Sequence, residues 1–97
     1  MSLNRSVRVG GLVLLRQRPS TARGITFVTL EDETGIANLV VRQDIWERYA
    51  RVARHASAWI AHGRLERKDS IIHILVGRLE DLSARLRQLR VRSRDFR

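Results

Sequence analysis

The chain has 97 residues, 43% of them hydrophobic and 30% charged, which bounds it to one small domain with one modest core and excludes a two-domain enzyme. Nineteen basic residues against ten acidic ones leave a net charge of +9, and every basic residue except Lys68 is arginine. The guanidinium fork pairs bidentately with phosphate or carboxylate, so the expected partner is a polyanion, nucleic acid ahead of an anionic membrane.

The sequence contains no cysteine, which removes disulfides, thiolate metal sites and thiol nucleophiles and fits a reducing cytoplasm. The longest apolar runs, 10–15 and 71–77, are far shorter than a membrane span, so a soluble cytoplasmic domain is expected. Residues 1–3 read as a leader, 4–80 as the domain, and 81–97 as a terminal helix with an arginine-rich tail.

In chain order, residues 6–17 are rich in β-branched and aliphatic side chains around Gly10 and Gly11, which predicts a long strand with a bend or bulge at the glycines. Residues 18–24, with Pro19 and Gly24, form a basic loop. The alternation over 25–31 turns Val28 and Leu30 into the core and Phe27 outward. Asp32-Glu33-Thr34-Gly35 is a tight turn into a third strand over 36–42, with Ala37, Leu39 and Val41 inward and Asn38 beside Phe27.

Over residues 43–53 the period changes: Ile45, Tyr49 and Val52 or Ala53 recur at three- and four-residue spacing, predicting one short amphipathic helix with Asp44 as its N-cap. Period two returns over 57–68 and 70–78, a hairpin turning at Lys68-Asp69. Leu79, Leu82, Leu86 and Leu89 are spaced for a terminal helix, and residues 85–97 hold six arginines against Asp95. Three strands, a helix and a two-stranded hairpin make an all-β fold: a five-stranded Greek-key barrel of the OB type with a C-terminal helical, basic tail.

The outward set Phe27, Asn38, Arg16, Arg18, Arg23 and Arg64 converges on one open face and the loop leading to it. A ring there stacks under a base, arginines neutralise phosphates, and an amide both donates to and accepts from a base edge. The plainer reading makes Phe27 a cap on a sheet surface and the arginines solvated charges. His62 and His73 fall on paired strands, and His73 joins the contact set on that ground; sheet-surface roles are the more usual use of such histidines. The histidines lack the spacing of a metal pair, so neither metal nor cofactor is expected. Glu31, Asp32 and Glu33 are adjacent at a turn, where side chains alternate in direction, which argues against a two-metal catalytic site. Trp46, Tyr49 and Trp59 read as core or cap residues at the barrel bottom, with Trp46 partly exposed.

Residues 9–24, which include Arg-Gln-Arg-Pro-Ser-Thr-Ala, residues 27–41 and the closing Arg-Ser-Arg-Asp-Phe at 92–96 closely resemble the C-terminal OB domain and tail of bacterial error-prone DNA polymerases, C-family paralogues of the polymerase III alpha subunit. The strand-turn-strand pattern ending in Asp-Glu-Thr-Gly is shared with many nucleic-acid OB domains, including anticodon-binding domains of class II aminoacyl-tRNA synthetases. The resemblance implies a piece of a damage-inducible translesion polymerase whose catalytic carboxylates lie elsewhere, so this chain by itself is no enzyme. It implies as partners single-stranded DNA, the rest of the polymerase, a Y-family-like accessory protein and the sliding clamp. In the synthetase domains the aromatic matching Phe27 stacks on a base and an amide matching Asn38 reads one; here that amide is asparagine, shorter by a methylene. Two further roles stay open beside strand binding: docking within the translesion complex, and tRNA binding.

Overall fold

The computed structural model describes residues 5–84. The terminal leucines and arginines from 85 onward lie outside the described residues. Five strands, β1 (Ser6–Gln17), β2 (Thr26–Asp32), β3 (Gly35–Val41), β4 (Ala58–Lys68) and β5 (Ile71–Asp81), close into a barrel in the order β1-β2-β3-β5-β4. All neighbours are antiparallel except β3 and β5, whose parallel pairing of Leu39 with Ile74 and Val40 with Leu75 closes the cylinder. The expected five-stranded barrel is therefore the fold.

β1 serves both sides of the closure. Its first half pairs with β4, from Ser6 opposite Arg64 to Leu12 opposite Ala58, and its second half pairs with β2, ending at Gln17 opposite Phe27. A Cβ on Gly11 would lie 2.4 Å from the Glu31 carbonyl oxygen, so the crossover requires glycine there. The register shift itself comes later, between Val13 and Leu15, where Leu14 is the extra residue.

The β2–β3 turn is held by one carboxylate. Asp32 Oδ1 accepts from Thr34 N (2.8 Å), Thr34 Oγ1 (2.8 Å) and Gly35 N (2.9 Å), and Gly35 takes φ 141°, a value only glycine adopts readily. The β4–β5 turn falls one residue later than the sequence suggests. Lys68 pairs with Ile71, leaving Asp69 and Ser70 as a two-residue loop with φ of 54° and 69°, the type I′ geometry that matches strand twist.

Val28, Leu30, Leu39, Val41, Trp59 and Val76 fill the barrel, each almost fully buried. One end is plugged by two short helices, α1 (Gln43–Arg48) and α2 (Ala50–His55), in place of the single helix that the periodicity suggests. The break is at Tyr49, whose φ of −112° and ψ of 33° leave the helical region. Asp44 is not the N-cap: Arg42 holds that position without a side-chain cap, and Asp44 in the first turn pairs with its Nε at 3.5 Å. Trp46 is buried rather than partly exposed, because α1 lies across the barrel end and turns both Ile45 and Trp46 inward. Its ring meets Trp59 edge-on, centroids 6.5 Å apart.

β5 runs on to Asp81, so Leu79 is a buried strand residue opposite Ala61 and not the start of a helix. Gly77 is the extra residue of a second bulge, between Val76 opposite Gly63 and Arg78 opposite His62. A helical turn opens at Leu82, with Asp81 Oδ1 accepting from Ala84 N (3.1 Å) and Ser83 Oγ (2.7 Å), an N-cap arrangement.

Candidate nucleic-acid interface

Because paired residues share a face and successive residues alternate, the register fixes which side chains lie together outside the barrel. Phe27 sits opposite Gln17 and Val40, Val40 beside Leu75, and Leu75 opposite Arg64, a continuous outward row over β1, β2, β3, β5 and β4. The next row holds Leu15, Thr29 and Asn38. His73, one residue before the paired Ile74, faces outward opposite Glu66. Phe27, Asn38, His73 and Arg64 thus lie on the outer surface of one curved sheet. Phe27 is 37% exposed while its neighbour Val28 is 2% exposed, so the phenyl ring is outside and the core is one residue away.

Arg16 departs from the expected set. It pairs with buried Val28 and points to the plugged end, where Nε donates to Ala53 O at 2.7 Å and Nη2 to Ala56 O at 2.6 Å. Its guanidinium also lies 5.7 Å from the centre of the Trp59 ring. It therefore caps the C-terminal carbonyls of α2 and is not on the Phe27 face. Burial lowers its pKa from the usual arginine value, the direction expected for a desolvated cation. Arg18 sits at the same end, donating from Nε to Thr26 Oγ1 at 3.0 Å with its guanidinium 5.4 Å from the centre of Trp46. It remains exposed, as does Arg23, which takes the left-handed φ of 50° in the β1–β2 loop.

His62 and His73 share a side of the β4–β5 ladder without meeting. His73 is opposite Glu66, four residues from His62, or about 13 Å along the strand. His62 instead contacts Glu80, Nε2 to Oε2 at 2.6 Å. Among the described residues, no group of three histidine, cysteine, aspartate or glutamate side chains is placed to hold a metal ion, and no helix is long and apolar enough to cross a membrane.

Three cations escaped the sequence reading. Arg42 follows Val41 in extended conformation and so falls on the outward side with Asn38 and Val40; the alternation of β3 carried one residue further identifies it. Arg8, opposite His62, alternates with half-buried Val7 and Val9. Arg78 reaches the outside only through the Gly77 bulge, which nothing in the local pattern announces. With Arg64 they border a groove of about 690 Å³ that begins at Leu75.

A closed five-stranded barrel with parallel β3–β5 closure and a helical plug between β3 and β4 defines the OB class. The chain belongs to the family described as the OB-fold nucleic acid binding domain, whose family model matches residues 7–82. Among proteins of similar sequence, the error-prone DNA polymerase of Rhodopirellula baltica is 58% identical over 91 residues, 94% of this chain and 8% of that protein. That of Caulobacter vibrioides is 55% identical over 84 residues, covering 87% and 8%. The resemblance carried by residues 9–24 and 27–41 is thus matched along nearly the whole chain, which spans under a tenth of those polymerases. Among solved structures, asparaginyl-tRNA synthetase from Pyrococcus horikoshii superposes with a TM-score of 0.64 at 23% identity, over 79% of this chain and 19% of that one. The S. pombe Stn1-ten1 complex gives 0.64 at 13% identity, over 93% and 72%. At these identities the likeness is one of fold.

Proposed function

We propose that this chain is a single-strand-binding module of a DNA polymerase, holding unpaired DNA across the outer face of β2 and β3. The observation that carries the reading is Phe27: an aromatic ring outside a sheet whose inner side is packed with Val28, Leu30, Leu39 and Val41. A base stacks on the ring, Asn38 hydrogen-bonds a base edge two residues along the hairpin, and His73 borders the same surface. Arg18 and Arg23 meet phosphates at the loop end, and Arg64 does so on the far side of Val40 and Leu75. The family description and the polymerase relatives support nucleic acid as the ligand class and a polymerase as the parent. In that parent the module steers template and contributes no catalytic group.

Base-on-ring stacking is worth about 1–3 kcal/mol per base, so Phe27→Ala weakens binding of a labelled oligo(dT) roughly 5- to 150-fold. Phe27→Trp retains it. Titrations at two salt concentrations with single strand and duplex complete the test. Equal affinity for both forms, or an unchanged affinity in Phe27→Ala, refutes the reading. A docking role within the polymerase complex is favoured by a different observation: Leu12, Leu14, Leu15 and Ile36 are each about half exposed on the β1–β2–β3 side. If docking is the role, Leu12→Ser/Leu14→Ser on β1, away from the β2–β3 face, abolishes association with the rest of the polymerase while oligo(dT) binding persists. Competition with tRNA separates both from an RNA-binding role.

A further inference from the structure

We propose that the polynucleotide track continues past β3, over Val40 and Leu75, into the groove bordered by Arg8, Arg42, Arg64 and Arg78, where these arginines hold the phosphodiester backbone of the same strand. The inference rests on the strand-binding reading above and extends it to a second set of contacts.

Three observations carry it. The first is continuity, since Leu75 and Arg64 belong both to the Phe27 row and to the lining of the groove. Three strand-to-strand steps of about 4.8 Å separate Phe27 from Arg64, or about 14 Å around the barrel. The second is charge. The four cations come from β1, the end of β3, β4 and β5, and no carboxylate is among the residues lining the groove. Arg42 and Arg78 each make one long contact to a carboxylate outside it, at 3.5 Å and 3.4 Å, with side chains 54% and 60% exposed. A guanidinium has five donors, so such single contacts leave the fork open for phosphate oxygens. The third is the floor. Gly77 puts no side chain into the groove, and a Cβ there would meet nothing closer than the His62 carbonyl oxygen at 3.9 Å. A strand backbone can therefore approach the sheet closely between the arginine walls.

The test uses the 97-residue chain with oligo(dT) of 4 and 16 nucleotides, the ends of the usual site-size range for such barrels. The variants are Arg8→Ala/Arg78→Ala and Arg8→Lys/Arg78→Lys. Both positions are exposed, and matching melting curves check that the variants are folded. For the 16-mer the alanine pair lowers the salt slope by about 1.4 and the affinity about 25-fold at 0.1 M salt, from two lost single-strand phosphate contacts. The 4-mer, centred on Phe27, changes less than twofold, and the lysine pair keeps most of the slope. Unchanged 16-mer binding, or the same loss at both lengths, overturns the proposal. If the alanine pair is unstable, Arg8→Glu alone gives the same length comparison. Phe27→Ala separates the two readings: 4-mer binding that survives it refutes stacking, whereas a length-selective loss in the arginine pair remains the signature of the groove.

Discussion

Replacing Arg16 with alanine cuts the tie between the barrel wall and its helical plug, and the contacts set the size of the loss. Two charge-assisted hydrogen bonds, at 2.7 and 2.6 Å, go to carbonyls at the end of α2. At the low end of the range for a charged donor each contributes about 1.5 kcal/mol, and the guanidinium over Trp59 adds about 0.5–1 kcal/mol. The sum is about 3.5–4 kcal/mol, against a total stability of about 5–15 kcal/mol for a domain of this kind. At roughly 4–8 °C per kcal/mol, the melting temperature falls by about 14–32 °C. Urea unfolding followed by tryptophan fluorescence reads this directly, since Trp46 and Trp59 both lie in the plug contact. Arg16→Lys, with charge but no fork, falls between wild type and alanine. Below its melting range Arg16→Ala binds oligo(dT) as wild type does. An Arg16→Ala protein that melts within about 2 °C of wild type and binds single strands several-fold more weakly refutes the reasoning and returns Arg16 to the binding face.

Two further outcomes follow from the turn and the bulge. The Thr34 hydroxyl and N–H, with a smaller part from the Gly35 N–H, hold the Asp32 carboxyl below the usual carboxylate range. A group depressed on folding stabilises fully above its unfolded pKa and loses that contribution as pH falls through the lower folded value. The melting-temperature gap between wild type and Asp32→Ala is therefore constant from pH 7 to 5 and closes below about pH 4; a gap that widens with acid refutes the assignment. A Cβ on Gly63 would lie 2.2 Å from the Leu75 carbonyl oxygen, whereas one on Gly77 has open space. In urea melts Gly63→Ala costs about 1–3 kcal/mol or more and Gly77→Ala under about 0.5 kcal/mol. Equal costs contradict the β4–β5 register.

The β2–β3 hairpin was legible because its residues alternate cleanly. Val28, Leu30, Leu39 and Val41 face in, Phe27 and Asn38 face out, and Asp32 and Gly35 supply the acceptor and the positive φ that the turn needs. The phase of β1 was not legible. Leu12, Val13, Leu14 and Leu15 are four aliphatics in succession, so hydropathy carries no record of which residue is extra. Leu12, Leu14 and Leu15 are about half exposed and Val13 is partly buried, an assignment that only the pairing with β2, which skips Leu14, decides. The same holds at the end of β5, where Ile74, Val76 and Leu79 break strict alternation and imitate the spacing of a helix with Leu82. The plug was legible as helical and apolar, but neither the break at Tyr49 nor the burial of Trp46 was: Trp46 adjoins Ile45 on the wide face that α1 lays across the barrel end, and the narrow stripe read from Ile45, Tyr49 and Val52 left it out.

The two bulges act on charge in opposite directions, and between them they decide where the cationic surface lies. Uninterrupted alternation from Val13 would send Leu15 inward and Arg16 outward; the extra Leu14 reverses this and commits Arg16 to the plug. Uninterrupted alternation from Val76 would bury Arg78 and expose Leu79; the extra Gly77 buries Leu79 and sets Arg78 beside His62 at the groove. One inserted residue therefore removes an arginine from the outer surface at the β1–β2 side, and the other adds one at the β4–β5 side. A desolvated arginine keeps its charge and must find acceptors, so the exchange is tolerable only because α2 ends in two carbonyls within reach of Arg16. The cationic groove, like the placement of Arg16, is thus a consequence of strand register and not of composition, and the net charge alone could not have located it.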